Sequence, residues 1–253
     1  MPLKIVLLVV ALIQAAAPLV LFFDGFGRQT GLAPTPIVPA NYAFAIWGAI
    51  YGLSVLFAAV QLVPGQADPL LPRLGRPLAA LFALSTLWLA FARFGPLWGT
   101  VPAIAAMLVL AAWVLIAVAT RADGLAGYRQ WLILGLAGLY AGWLTVATFA
   151  NVTEVAAASG FGFFGLSLPA WTVLALIAGT VLACAILAQS RGAWPYAAAV
   201  SWALVAIAIA NVVRDRQPAV VAVSLVCLAA VLTAAWSFSA RPSAAPTPAE
   251  SRS

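Results

Sequence analysis

Eight times along this chain an apolar run passes with almost no charge, each about as long as the 20 residues a helix needs to cross the hydrocarbon core of a bilayer. Lipid offers no partner to backbone N–H and C=O groups, so a spanning segment must satisfy them within itself. Runs this long and unbroken therefore predict helices and not a barrel of short alternating strands. The predicted spans are 5–23, 42–63, 77–92, 101–120, 130–150, 169–189, 194–213 and 218–238. The third is short and the seventh alanine-rich, which leaves seven spans as the alternative. Charged residues make up 7% of the chain, against about a quarter in soluble domains. The fold class expected is an all-α polytopic membrane protein, with the lipid bilayer as its first partner.

The cations between the spans set the orientation. With the N-terminus inside, the inner segments hold Lys4, Arg73, Arg76, Arg121, Arg129, Arg191, Arg241 and Arg252, and the outer ones hold Arg28, Arg93, Arg214 and Arg216. The excess places both termini in the cytoplasm. The net charge of +6 is this topology signal, and no basic run marks a nucleic-acid surface. The first run contains "QAAAP", which has the small residues of a cleavage site, yet it continues to Phe23, longer than a signal core. A retained helix is expected. No Arg-rich transit segment precedes it, so the cell's inner (cytoplasmic) membrane is the expected location. The tail, 240–253, is rich in Pro, Ser and Ala and is expected to be disordered.

Much chemistry is excluded. There is no histidine, which removes His-ligated haem and ordinary His-containing metal sites, so no metal is expected. The one lysine, Lys4, lies at a span edge, far from any mid-membrane Schiff base. Cys184 and Cys227 sit in separate helices without a CxxC spacing and read as small apolar residues. No paired acids stand ready to hold magnesium against a diphosphate. Ion-coupled transport usually needs a carboxylate near mid-bilayer, and Glu154, at the end of the fifth span, reads as a solvated interfacial acid. Arg93 can snorkel to the headgroups.

What remains is aromatic and amide chemistry, carried by ten tryptophans. Trp98, Trp131, Trp171, Trp194 and Trp236 fall near span ends, where indoles anchor helices at the interface. Trp47, Trp88, Trp113, Trp143 and Trp202 sit deeper. In "PANYAFAIWGAIYG", Phe44, Trp47 and Tyr51 lie three and four apart and form one stripe, with Gly48 beside it to admit a neighbour closely. In "LYAGWLTVATFAN", Tyr140, Trp143, Ala147 and Asn151 form a second stripe, with Ala147 leaving room between the larger groups. Facing each other, these stripes would frame a flat slot with an amide at one end, suited to a planar, largely apolar ligand. Spacing alone leaves this slot and ordinary helix packing both open.

These residues resemble the TspO/MBR family, the tryptophan-rich sensory proteins, known in animals as the translocator protein or peripheral benzodiazepine receptor. The family's second helix carries Trp-x-x-x-Tyr after a loop with prolines thirteen and eight residues earlier; Pro34, Pro39, Trp47 and Tyr51 match. Its fifth helix carries Tyr-x-x-Trp with an asparagine eight residues on, as Tyr140, Trp143 and Asn151 do. "LWLAFARFG", with Trp88, is similar to the tryptophan segment of its third helix. Two loop tryptophans of the family are missing near Pro36 and Asn41, Ser85 or Thr86 stands where it has an asparagine, and no sterol-type pattern follows Asn151. The resemblance implies a five-helix unit over 1–157, a three-helix extension over 158–239, and a slot closed by a loop over 24–41. It also implies a sensor or regulator that binds a porphyrin-like tetrapyrrole, with Phe44, Trp47, Tyr51, Trp88, Tyr140, Trp143, Ala147 and Asn151 lining the slot. No cofactor is required; a porphyrin would be held by stacking. Two alternatives stay open: light- and oxygen-dependent porphyrin breakdown using Trp47 and Trp143, and passage of a small apolar metabolite. Homodimerisation through small-residue helix faces is also left open. "SWALVAIAIAN", ending at Asn211, echoes the second stripe, but its Trp-to-Asn gap is one residue longer, so it reads as a coincidence or a decayed repeat. "GFGFFG" reads as a flexible aromatic connector, an interfacial anchor with a lid as the alternative.

Overall fold

The structure, a computed structural model, describes residues 2–21, 34–65, 69–120 and 127–240. The part of the expected loop between 24 and 33, and the tail beyond 240, lie outside these residues. Among the described residues there are eight helices long and apolar enough to cross a membrane and no strand, so the eight-span reading holds over the seven-span alternative. They are α1 (Pro2–Leu21), α2 (Ile46–Val60), α3 (Leu71–Phe94), α4 (Thr100–Ala119), α5 (Tyr128–Ala158), α6 (Leu168–Gln189), α7 (Trp194–Val213) and α8 (Pro218–Ser239). This is a multi-pass membrane protein.

Two helices outrun their apolar runs, for different reasons. Helix α3 begins at Leu71, ahead of the predicted 77: Pro72 occupies its first turn, where a missing N–H goes unused, and Pro77 lies inside the helix. Helix α5 continues eight residues past the predicted 150, since the polar residues there find partners within the protein. Thr153 donates to Phe149 O at 2.9 Å and accepts the Trp171 indole N–H at 3.2 Å. Trp171 is thus half-buried against Phe163 and Phe164, and is not the free interfacial anchor its position suggests.

Helix α5 is the axis of the bundle, packed against α2, α4, α6 and α7, while α1 joins α2 to α3 and α8 backs α6 and α7. It meets α7 closely through Gly138 and Gly142, four residues apart. A Cβ at Gly142 would lie 2.5 Å from Tyr196 O and 2.8 Å from the Ala199 Cβ; one at Gly138 would lie 2.7 Å from the Pro195 Cβ. Small residues one turn apart allow backbones in lipid to meet this closely, where dispersion takes the place of hydrophobic drive. The contact also seats a polar pair: the Tyr196 and Thr145 hydroxyls lie 2.9 Å apart, both buried. By contrast nothing approaches within 4 Å of a Cβ at Gly48, which is exposed, so the close neighbour expected there is absent. Trp113 is likewise 40% exposed and faces outward from α4, with the Arg73 guanidinium 5.7 Å from its ring centroid. Depth along a span and burial inside the bundle are separate coordinates.

Candidate ligand cavity

Three helices deliver their rings to one place. Trp47 of α2 stacks on Tyr51 (centroids 5.2 Å apart, planes at 27°) and on Trp88 of α3 (6.4 Å, 30°). It also meets, edge to face, Tyr140 (6.0 Å) and Trp143 (6.2 Å) of α5. Phe44, in a 3-10 turn (Asn41–Ala45) ahead of α2, abuts Trp143 at 5.8 Å. The two stripes therefore do face each other, which settles what spacing alone left open. They touch, however, with Trp47 and Trp143 at 82°, so they form a single indole wall instead of two parallel plates with a slot between them.

Tyr51 and Tyr140 stand behind that wall and do not line the cavity beside it, which corrects the expectation for both. Each is fixed by a buried polar partner: the Tyr51 hydroxyl lies 3.3 Å from Ser85 Oγ, and the Tyr140 hydroxyl donates to Gln14 Oε1 at 3.1 Å. Of Ser85 and Thr86, it is Ser85 whose hydroxyl reaches the aromatic cluster; Thr86 bonds back to Phe82 O at 3.4 Å.

The cavity, about 180 Å3, lies on the other side of the wall. Phe44, Trp47, Trp88 and Trp143 bound it on the aromatic side, and Ala147 and Asn151 of α5 continue along it, as the sequence suggests. Pro34 and Pro39, with Val38, form its roof. Leu97 and Ile104 close the far side, and no sequence signal pointed to them. Glu154 is a further lining residue that its apolar context disguised. It follows Asn151 by three positions, hence on the same helix face, and is half-buried, with Oε1 accepting the Thr35 N–H at 2.8 Å. The buried Nε1 of Trp88 and of Trp143 and the Oδ1 of Asn151, all on lining residues, have no hydrogen-bond partner among the described residues. Such gaps are rare in finished structures, because an unmet buried polar group costs about 1–3 kcal/mol.

The roof is held mainly from α7. Asn211 Nδ2 donates to Pro36 O at 2.7 Å, Arg214 Nη2 donates to Val38 O at 2.9 Å, and Ala206 O accepts the Ala40 N–H at 3.1 Å. One step along, the Trp202 indole donates to Ala43 O at 3.0 Å. Trp202 and Asn211, the two ends of the apparent echo, thus both hold the 36–43 segment. A family model described as TSPO-like protein matches residues 3–237. The chain belongs to the TSPO-like family. No curated protein and no solved structure shows significant similarity to it. The family match does not end near residue 157 but runs through α6, α7 and most of α8. In this TSPO-like chain, then, the helices beyond the fifth are part of what the family model describes, and α7 is the one that fastens the roof.

Proposed function

We propose that this TSPO-like protein is a membrane-embedded sensor or regulator that binds a planar, largely apolar ligand against the indole wall. The observation that carries this reading is the cavity itself, lined by four aromatic residues together with an amide and a carboxylate one helical turn apart. Pockets for small molecules have this composition, an apolar lining with a few convergent polar groups. The unpartnered Nε1 atoms of Trp88 and Trp143 support it, since a ligand acceptor would complete them. No histidine is present to act as an axial base, so a tetrapyrrole would be held by its faces, which suits a metal-free ring. A cavity of about 180 Å3 is below the ~300–1,000 Å3 typical of drug-sized ligand sites, so a ligand of the porphyrin class would extend through its open side or displace the 34–40 segment.

Titrating protoporphyrin into the purified protein while following tryptophan emission tests this. Saturable quenching that weakens in Trp143→Phe is expected; emission unchanged at saturating ligand would remove tetrapyrroles from the reading. The photo-oxidative alternative draws support from one feature, two indoles in contact at 6.2 Å beside the cavity. Illumination in air distinguishes it, with breakdown no faster than for porphyrin in detergent counting against an enzyme.

A further inference from the structure

The reading above leaves the size and charge of the ligand open, and the cavity constrains both. With the 34–40 segment seated, the free volume is about 180 Å3. An engineered cavity of about 150 Å3 holds a benzene ring. A single ring with a short substituent therefore fits under the seated roof, a second fused ring reaches the cavity's open side, and four linked pyrroles exceed it.

Charge follows from the polar corner. Among the described lining residues none is Lys or Arg, and the ionisable one is Glu154. A carboxylate offers acceptors only, and the backbone N–H of Thr35 occupies Oε1. Asn151, one turn before it, adds a buried Oδ1 that receives no donor. A negatively charged edge placed here would meet a carboxylate across a low-dielectric wall, where like charges repel far more than in water. A positive or N–H-bearing edge would meet two acceptors, and the neighbouring indole faces attract cations as well.

We infer that with its roof seated the cavity selects a one- or two-ring aromatic ligand bearing an ammonium or N–H donor edge, its ring on the Trp47–Trp143 wall and its donor at Glu154. This rests on the ligand-binding reading above and narrows it. Glu154 is then the residue that sets specificity, by charge, while the indole wall sets shape.

The test uses three probes of one skeleton, naphthylmethylamine, naphthylmethanol and naphthoate, titrated calorimetrically into the full chain in detergent. The amine is expected to bind about tenfold or more tightly than naphthoate, the scale of one partly screened charge contact. Glu154→Gln keeps an oxygen for the Thr35 N–H, and should bring amine and carboxylate to within about threefold, with the neutral alcohol falling between them. An unchanged helical circular dichroism signal and unfolding midpoint in detergent report that the variant is folded. Naphthoate binding as tightly as the amine, or a ratio that Glu154→Gln leaves intact, overturns the inference. Protoporphyrin quenching in a protein that binds none of the three probes overturns the inference and spares the parent reading. Failure of porphyrin and probes alike removes the site itself.

Discussion

Replacing Asn211 with alanine should loosen the roof without altering the cavity wall. Asn211 is buried, and its Nδ2 makes two contacts, 2.7 Å to Pro36 O and 2.8 Å to Ile207 O. The second lies within α7, on a carbonyl one turn back, so the bond that matters is the one that leaves the helix. Losing it forfeits about 0.5–1.5 kcal/mol of net hydrogen bonding and strands the buried Pro36 carbonyl, at a further cost of about 1–3 kcal/mol. Against this, Asn211 Oδ1 has no partner, and removing it returns part of that cost. The balance is about 1–2 kcal/mol, which raises the open fraction of the segment roughly 5–30-fold. Amide hydrogen exchange reads it directly. The Val38 N–H donates to Thr35 O and the Ala40 N–H to Ala206 O, and both should exchange faster by that factor, while amides in the middle of α5 do not change. Asn211→Asp, which puts an acceptor against the Pro36 carbonyl, should do more. Unchanged exchange at Ala40, or an equal rise throughout α7, would refute the claim that Asn211 is a local latch.

Three further outcomes are expected. Gly142→Ala forces a Cβ to 2.5 Å from Tyr196 O and should destabilise the bundle by about 1–3 kcal/mol in a detergent unfolding assay. Gly48→Ala, with nothing within 4 Å, should be neutral or add up to about 1 kcal/mol through helix propensity; equal losses for the two would contradict the α5–α7 packing. Ala147→Phe should fill the cavity and abolish binding of naphthylmethanol while circular dichroism keeps its helical signal. Ser85→Ala should cost about 1 kcal/mol by leaving the Tyr51 hydroxyl without its partner, and Ser85→Thr should restore much of it.

The spans were legible because lipid imposes one rule on the whole chain, and a run of apolar residues obeys it locally. Their ends were not, since Pro77 sits inside α3 and the polar end of α5 is supported by residues distant in sequence. The aromatic stripes were legible for the same reason of periodicity: Trp47 and Trp143 meet because three- and four-residue steps keep a face in line. Periodicity fixes a face and not the angle at which two rings meet, so a wall and a slot look alike in sequence. Glu154 was hidden by its setting, although its spacing from Asn151 was there to be read. The roof was the least legible part. Pro36 and Asn211 are separated by 175 positions, and the bond joins a side chain to a backbone carbonyl that every residue carries. Trp202 and Asn211, read in sequence as a coincidental or decayed echo of the α5 stripe, instead bond to the backbone of the roof segment.

The central claim is that the Trp47–Trp143 wall borders a ligand site. Photolysis of a naphthyl azide bound to the protein, followed by peptide mapping, tests it most directly. The account predicts label confined to segments 34–47, 88–104 and 143–155, competed away by naphthylmethanol and lost in Ala147→Phe. Label spread over the lipid-facing sides of α6 and α8, unaffected by competitor, would contradict it.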